Sequence, residues 1–350
     1  MLKNTSTFLG HGKLRWLFAG CCGGYWLLWL SPLSAQEARD LRAEALRHFG
    51  VLEPVAAERL EDPAARLGQA LFWDTRLSAD GQTACASCHA AEDGGADRRR
   101  FSPDARGRET ARNSQTVFNA ALQPALRWTG DRRTAAHQAE RSLTGSMGFA
   151  AAEDVVPLLR DHGYTPLFQA AFPGADQPLA PQHYAKAIAV YEQTLLTPAP
   201  FDQFLQGDET ALSAAQKSGL RLFIDQGCVA CHDGPWLGGA GLETFGQVKD
   251  YWTATGSEKR DAGLFESTQA VEDRYRFRVS MLRNIARTAP YFHDGSVADL
   301  PAAIRVMADV QLGVDLPAAD VEAIADFLGS LSGEIPQNYQ RPKLPTGPKD

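Results

Sequence analysis

Two short segments of the chain carry the same pair of cysteines followed directly by a histidine. The positions are Cys85, Cys88 and His89 in "GQTACASCH", and Cys228, Cys231 and His232 in "DQGCVACH". Both segments read C-x-x-C-H, the attachment pattern of c-type haem. Its two thiols bond to one edge of the porphyrin, and the histidine binds the iron. The pattern predicts two covalently bound haem c groups; a redox dithiol and a zinc knuckle are the alternatives.

The sixth iron ligand decides what each haem does, because a second strong ligand favours electron transfer whereas an open face permits reaction. Downstream of His232 the candidate ligands are Met281, His293 and Met307. A cytochrome-c-type domain takes this ligand from a loop before its terminal helix. Met307 occupies that position in "IRVMADVQLG", so we expect Met307 to bind the second iron.

The first haem has no comparable ligand close by in the sequence. Residues 90–112 contain no His, Met, Lys, Cys or Tyr, and the next candidates are His137 and Met147. We therefore expect the first haem to be open on one face. An open haem beside a Met-ligated one is typical of an enzyme with its own electron store.

The N-terminus has the order of a secretory signal peptide. Lys3, Lys13 and Arg15 precede an apolar run at residues 16–30 and small residues that end at Ala35. This order predicts a signal peptide over residues 1–35 and a periplasmic protein. An uncleaved anchor is the alternative, although the apolar run is short for a membrane span.

The charge of the chain limits its partners. The formal net charge is -7, and it becomes -10 when the three positive charges of the predicted signal peptide are removed. An acidic surface does not favour nucleic acid, but it attracts a basic redox protein.

An internal repeat and helical patterns indicate the fold. The pattern G-x-x-L-F-x-D precedes both haem motifs, at residues 68–74 and 219–225. Helices are predicted around "APQHYAKAIAVYEQTLL", which begins near Pro181, and around "LPAADVEAIADFLGSL", whose apolar face holds Val321, Ile324, Phe327 and Leu328. We predict a mostly α protein with two cytochrome-c-like haem domains, at 50–205 and 206–340, joined by a connection near 198–213.

The sequence resembles the bacterial di-haem cytochrome c peroxidase and MauG family over nearly all of the chain after the predicted signal peptide. The matching stretches are "LGQALFWDTRLSADGQTACASCH", "ARNSQTVFNAAL", "GLRLFIDQGCVACHDGPWLGG" and "LRNIARTAPYFHDGSVADL". The resemblance implies a peroxidatic haem in the N-terminal domain and an electron-transfer haem in the C-terminal one.

The resemblance also assigns roles to single residues. Met307 falls on the distal ligand of the second haem, Trp128 on the tryptophan between the haems, and Gln138 on a glutamine above the first haem. The family's calcium lies between the domains, and its ligands correspond to Asn113 and the backbone carbonyls of Thr288 and Pro290.

The sequence departs from the family at three places. The displaceable distal histidine expected after the first motif is absent, which favours a permanently open site. The distal glutamate corresponds to Gly148 or, with a small shift, to Ser146. MauG's surface tryptophan before the second motif is Gln226 here.

These features predict a periplasmic enzyme that reduces hydrogen peroxide with electrons from a small cytochrome c or a cupredoxin. The alternative is a MauG-like oxidase that uses peroxide to modify Trp or Tyr residues of a partner protein. A non-catalytic di-haem electron carrier is a third interpretation. The sequence leaves open whether the protein forms a homodimer.

Overall fold

The computed structural model describes residues 35–347 of the chain, so the predicted signal peptide lies outside the described residues except for Ala35. The helices are α1 (Ala35–His48), α2 (Ala57–Leu60), α3 (Pro63–Trp73), α4 (Ala135–Thr144), α5 (Val155–Asp161), α6 (Thr165–Ala171), α7 (Pro181–Glu192), α8 (Pro200–Gln206), α9 (Ala214–Asp225), α10 (Tyr251–Thr255), α11 (Phe265–Thr268), α12 (Leu300–Met307) and α13 (Ala318–Gly329). The prediction of a mostly α protein is confirmed.

The β-structure within residues 35–347 is a single antiparallel pair of short strands. Strands β1 (Leu242–Thr244) and β2 (Arg276–Arg278) pair Leu242 with Arg278 and Thr244 with Arg276. No helix in this part of the chain is long and apolar enough to cross a membrane.

The first hydrophobic cluster forms where helix α3 crosses helix α7. Asp62 caps α3 by accepting from Ala64 N at 2.8 Å, and α7 begins at Pro181 as predicted. A Cβ atom on Gly68 of α3 would lie only 2.0 Å from the carbonyl oxygen of Ala187 on α7. The helices can therefore approach this closely only because residue 68 is glycine. Helix α4 also packs on α7.

The second cluster repeats this arrangement with helices α9 and α13. Ser213 caps α9 in a reciprocal pair of hydrogen bonds with Gln216. A Cβ on Gly219 would lie 1.8 Å from the carbonyl oxygen of Ala323 on α13. The four predicted apolar residues of α13 are its buried residues. The repeated sequence pattern thus builds the same type of helix crossing twice.

The segment predicted as a connection near 198–213 differs from that expectation, because much of it forms helix α8. Phe201, Phe204 and Leu205 are buried in the second cluster. Asp202 on this helix forms a buried, two-pronged ion pair with Arg283, at 2.7 and 2.8 Å. Pro200 starts the helix instead of preventing it, since the first turn needs no N–H from proline.

Each end of the described chain packs on the hydrophobic cluster that the opposite half of the sequence forms. Helix α1 contributes Leu41 and Ala45 to the second cluster. The C-terminal tail, residues 333–347, returns to the first cluster, where Tyr339 is buried. The boundaries proposed for the two haem domains stay predictions.

Candidate functional site

The first C-x-x-C-H motif lies on a 3₁₀ turn, Cys85–Ser87, at the end of the loop that follows helix α3. His89 Nδ1 lies 3.0 Å from the carbonyl oxygen of Gly95, which can accept a hydrogen bond from it. Nε2 is then the ring nitrogen without a proton, as an iron ligand requires. Burial lowers the pKa of His89, so the neutral ring is favoured.

The second motif repeats this geometry on the turn Cys228–Ala230. His232 Nδ1 lies 3.2 Å from the carbonyl oxygen of Leu237. The phenylalanine of each repeat also packs near the motif histidine, since Phe72–His89 and Phe223–His232 both have ring centroids 6.4 Å apart. The two motifs therefore form equivalent histidine sites.

The four cysteines of the motifs form no disulfide, counting the cysteines within residues 35–347. Burial raises the pKa of Cys85 to about 12 and that of Cys228 to about 11. Catalytic dithiols need a lowered thiol pKa, so these values count against a redox dithiol. The same residues contain no group of three or more His, Cys, Asp or Glu suited to a metal ion.

A cavity of about 690 Å³ opens beside the first motif. Cys85, Cys88 and His89 form part of its wall, together with Trp128 and Gln138. Two thiols and an imidazole on one wall of a cavity of this size suit a haem group. The residues present at the first motif therefore fit the predicted cofactor.

Gln138 reaches this cavity from helix α4, which Thr134 caps by accepting from His137 N at 3.0 Å. Its Oε1 atom is buried and has no hydrogen-bond partner. An unpartnered buried acceptor is costly, so it favours a polar ligand in the cavity. The structure thus places Gln138 in the wall of the cavity that the first motif also lines, and its role above the first haem stays a prediction.

The family's distal glutamate has two candidate counterparts in this chain, Gly148 and Ser146. Ser146 lines the cavity, whereas Gly148 is not one of its lining residues. Gly148 has φ +80°, and its carbonyl accepts from Arg106 Nε at 2.9 Å. A side chain at residue 148 would be strained, and Ser146 is the one of the two candidate counterparts that lines the cavity.

Trp128 and the three residues assigned to calcium share the cavity wall. Trp128 Nε1 donates to the Asn113 carbonyl oxygen at 2.8 Å, and Asn113 Nδ2 donates to the Arg99 carbonyl at 2.8 Å. Thr288 and Pro290 lie along the same wall. The structure brings these residues together; their binding of calcium and the role of Trp128 stay predictions.

Three of the alternative iron ligands, Met147, Met281 and His293, have contacts of their own. Met147 is buried in the first hydrophobic cluster. Met281 lines the first cavity, where its sulfur accepts from Gln123 Nε2 at 3.4 Å. His293 stacks on Phe277, with ring centroids 4.5 Å apart.

Met307, the ligand expected for the second iron, ends helix α12 and is half-buried. The contacts of Met281 and His293 make those two residues poorer candidates for that bond. Ligation by Met307 stays a prediction.

The sequence analysis did not identify three residues that the structure brings to the first motif. Glu192, the last residue of α7, lines the cavity, and burial raises its pKa to about 8. Arg132 lines the cavity near Gln138. Tyr339 donates its hydroxyl to the His89 carbonyl. Only Arg132 had a nearby sequence cue, because it lies six residues before Gln138.

Comparison with known proteins agrees with this geometry. Residues 62–210 match the family model described as di-haem cytochrome c peroxidase. The cytochrome c551 peroxidase of Pseudomonas aeruginosa is 39% identical over 330 residues, which cover 92% of this chain and 94% of that protein.

MauG-type proteins are also similar. The methylamine utilization protein MauG of Methylophilus methylotrophus is 34% identical over 249 residues, covering 69% of this chain and 71% of that protein. Among solved structures, a MauG-like protein associated with microbial copper homeostasis superposes with a TM-score of 0.73 at 26% identity. That match covers 83% of this chain and 97% of the other.

Proposed function

This chain belongs to the di-haem cytochrome c peroxidase family, and we propose that it is a periplasmic enzyme that reduces hydrogen peroxide to water. Its electrons come from a small cytochrome c or a cupredoxin. The observation that carries the proposal is the cavity that joins Cys85, Cys88 and His89 to the unpartnered Oε1 of Gln138. It unites a haem attachment site with an acceptor suited to a polar ligand.

Two haem c groups, one held by each C-x-x-C-H motif, would supply the redox chemistry when bound. The Gly95 carbonyl orients His89, and the Leu237 carbonyl orients His232. Gln138 Oε1 accepts a hydrogen bond from peroxide. Met307 would hold the second iron, and its thioether would raise the potential of that haem.

Trp128 lies in the wall of the first cavity, and its indole would carry charge between the two haems. Its indole is fixed by the Asn113 carbonyl, and its own carbonyl accepts from Arg278 N at 2.7 Å. A calcium ion held by Asn113 Oδ1 and the carbonyls of Thr288 and Pro290 would keep this wall in place.

The second candidate is a MauG-like oxidase that uses peroxide to modify Trp or Tyr residues of a partner protein. The similarity to MauG and to a MauG-like structure favours it. Two residues favour the peroxidase instead. They are Met307, where MauG has Tyr, and Gln226, where MauG has a surface Trp.

Stopped-flow spectroscopy of the diferric protein tests the proposal. We expect peroxide to react with the first haem without prior reduction, and the product to oxidise reduced cytochrome c rapidly. If the product of the peroxide reaction does not oxidise reduced cytochrome c but does oxidise a partner protein, the protein is the oxidase. A low-spin diferric protein that does not react with peroxide would contradict both functions.

A further inference from the structure

Two residues in the wall of the first cavity each carry a buried side-chain atom without a hydrogen-bond partner, considering residues 35–347. One atom is the acceptor Gln138 Oε1, and the other is the donor Arg132 Nε. A buried polar atom without a partner destabilises the folded protein. A donor and an acceptor left unpaired in one cavity are complementary to a small ligand that can accept and donate.

The guanidinium of Arg132 is fixed at its outer end. Arg132 Nη1 bonds to the Asp131 carboxylate and to the Asp131 carbonyl oxygen, while Nε stays free. The side chain is 15% exposed. Burial lowers the pKa of Arg132, Asp131 raises it, and Arg127 and Arg141 lower it further. An arginine nevertheless keeps its proton near neutral pH, so Nε is a permanent donor.

We propose that Arg132 is a catalytic residue of the peroxide site, whose Nε donates to the far oxygen of the bound peroxide. Gln138 Oε1 accepts from the peroxide O–H at the same time. This inference rests on the proposed function. It assigns to an arginine part of the role that the missing distal carboxylate would otherwise have, since Ser146 lines the cavity instead.

The chemistry of O–O cleavage explains why a cation suits this position. The bond breaks so that the far oxygen leaves with both bonding electrons. It takes the proton of the near oxygen in addition to its own and departs as water. The near oxygen becomes the second water with two electrons from the reductant and two protons from solvent. A guanidinium stabilises the negative charge that develops on the leaving oxygen.

The test compares Arg132→Leu with Arg133→Leu in the haem-loaded protein. Arg133 is the adjacent residue, is exposed and is not part of the cavity wall. Both variants lose one positive charge, but only Arg132→Leu removes the cavity donor. Fluoride binding to the ferric protein is the first measurement, because this anion accepts hydrogen bonds from a nearby donor and requires no turnover. The rate of reaction with peroxide is the second.

We expect Arg132→Leu to weaken fluoride binding about 10- to 100-fold and to slow the peroxide reaction about 10²- to 10³-fold. Arg133→Leu should change each value by less than about threefold, because its charge is exposed to solvent. Arg132→Lys keeps the charge but lacks the Nε donor. Its losses of fluoride affinity and of peroxide reaction rate should therefore lie between those of Arg132→Leu and Arg133→Leu. Thermal unfolding and haem content establish that each variant is folded.

Several results would overturn the inference. One is equal behaviour of Arg132→Leu and Arg133→Leu, whether both bind fluoride normally or both bind it weakly. Another is a parent protein that binds no fluoride. A parent that fails to react with peroxide, while Arg132→Leu alone loses fluoride affinity, contradicts the proposed function and supports the donor role of Arg132.

Discussion

Glu192 is an acid in the cavity wall whose ionisation opposes folding. Burial raises its pKa from the usual 4.5 to about 8. Between these values the folded chain holds a proton that the unfolded chain has lost. Stability therefore falls as pH rises through this window, and the penalty is complete above pH 8.

We expect Glu192→Gln to remove this penalty. Near pH 4.5 the variant and the parent should have the same free energy of unfolding. At pH 9 the free energy of unfolding of the variant should be larger by about 1 to 3 kcal/mol. Denaturant unfolding of the haem-loaded protein at several pH values measures the difference. The control is Glu322→Gln on the exposed face of α13, which should leave the pH profile parallel to that of the parent. If the pH profile of Glu192→Gln also runs parallel to that of the parent, burial does not keep the Glu192 carboxyl group of the parent protonated.

At the scale of residues, the sequence singles out the side chains whose chemistry is local, and their attachment of haem stays a prediction. The spacing within C-x-x-C-H places two thiols and an imidazole together whatever surrounds them. Arg132 and Glu192 could not be identified in this way, because they lie at the cavity only when the segment before α4 and the end of α7 meet near the first motif. Such a meeting depends on tertiary packing, which no single segment encodes.

At the scale of elements, two glycines set the distance between the helices that support each motif. Gly68 and Gly219 hold equivalent places in the repeated pattern, and each faces a carbonyl of the partner helix. The pattern G-x-x-L-F-x-D is visible in the sequence, but the reason for its first residue being glycine is not. That reason lies on α7 and α13, which are distant in sequence.

We expect Gly68→Ala to destabilise the protein by about 1 to 3 kcal/mol or more, because the added methyl forces α3 and α7 apart. Gly329→Ala is the control, since it lies at the end of helix α13 and its Cβ would meet nothing within 4 Å. Alanine there should be neutral or stabilise by up to about 1 kcal/mol. Thermal unfolding of the two variants measures both effects. Unfolding of Gly68→Ala at the parent temperature would refute the close helix crossing.

Helix α8 illustrates the opposite limit of sequence reasoning. Its two flanking prolines and polar neighbours suggested a connection, yet Phe201, Phe204 and Leu205 are buried. These three residues have the i, i+3, i+4 spacing of a helix face, so the segment contains a local signal for the helix that its prolines and polar residues masked. The ion pair between Asp202 and Arg283, which lie 81 residues apart, could not be predicted from the segment alone.

At the scale of the whole molecule, the described chain ties its two hydrophobic clusters together at both ends. The tail residue Asn338 accepts from Gln69 Nε2 at 2.7 Å and from Tyr191 Oη at 3.1 Å. Tyr339 beside it donates to the carbonyl of the predicted iron ligand His89. The tail therefore connects the region after α13 to the first motif. The haem motifs, the internal repeat and the helical patterns predicted two helical haem domains, but they contain no information about the return of the tail to the first cluster.

The net charge supports a prediction about electron delivery. The formal charge is -7 for the full sequence and -10 without the predicted signal peptide. Charges of opposite sign increase the rate at which two proteins meet, and salt screens them over about 10 Å at 0.1 M. We expect peroxide-dependent oxidation of a basic cytochrome c to slow by about tenfold or more between low and high ionic strength.

An uncharged hydroquinone as reductant provides the control for this experiment, because no electrostatic attraction brings it to the protein. Its oxidation rate should stay nearly constant with salt, which separates screening of the encounter from any effect of salt on the peroxide reaction itself. A cytochrome rate that does not fall with salt would show that the acidic surface does not steer the donor. The docking site would then have to be sought among apolar contacts, which salt does not screen.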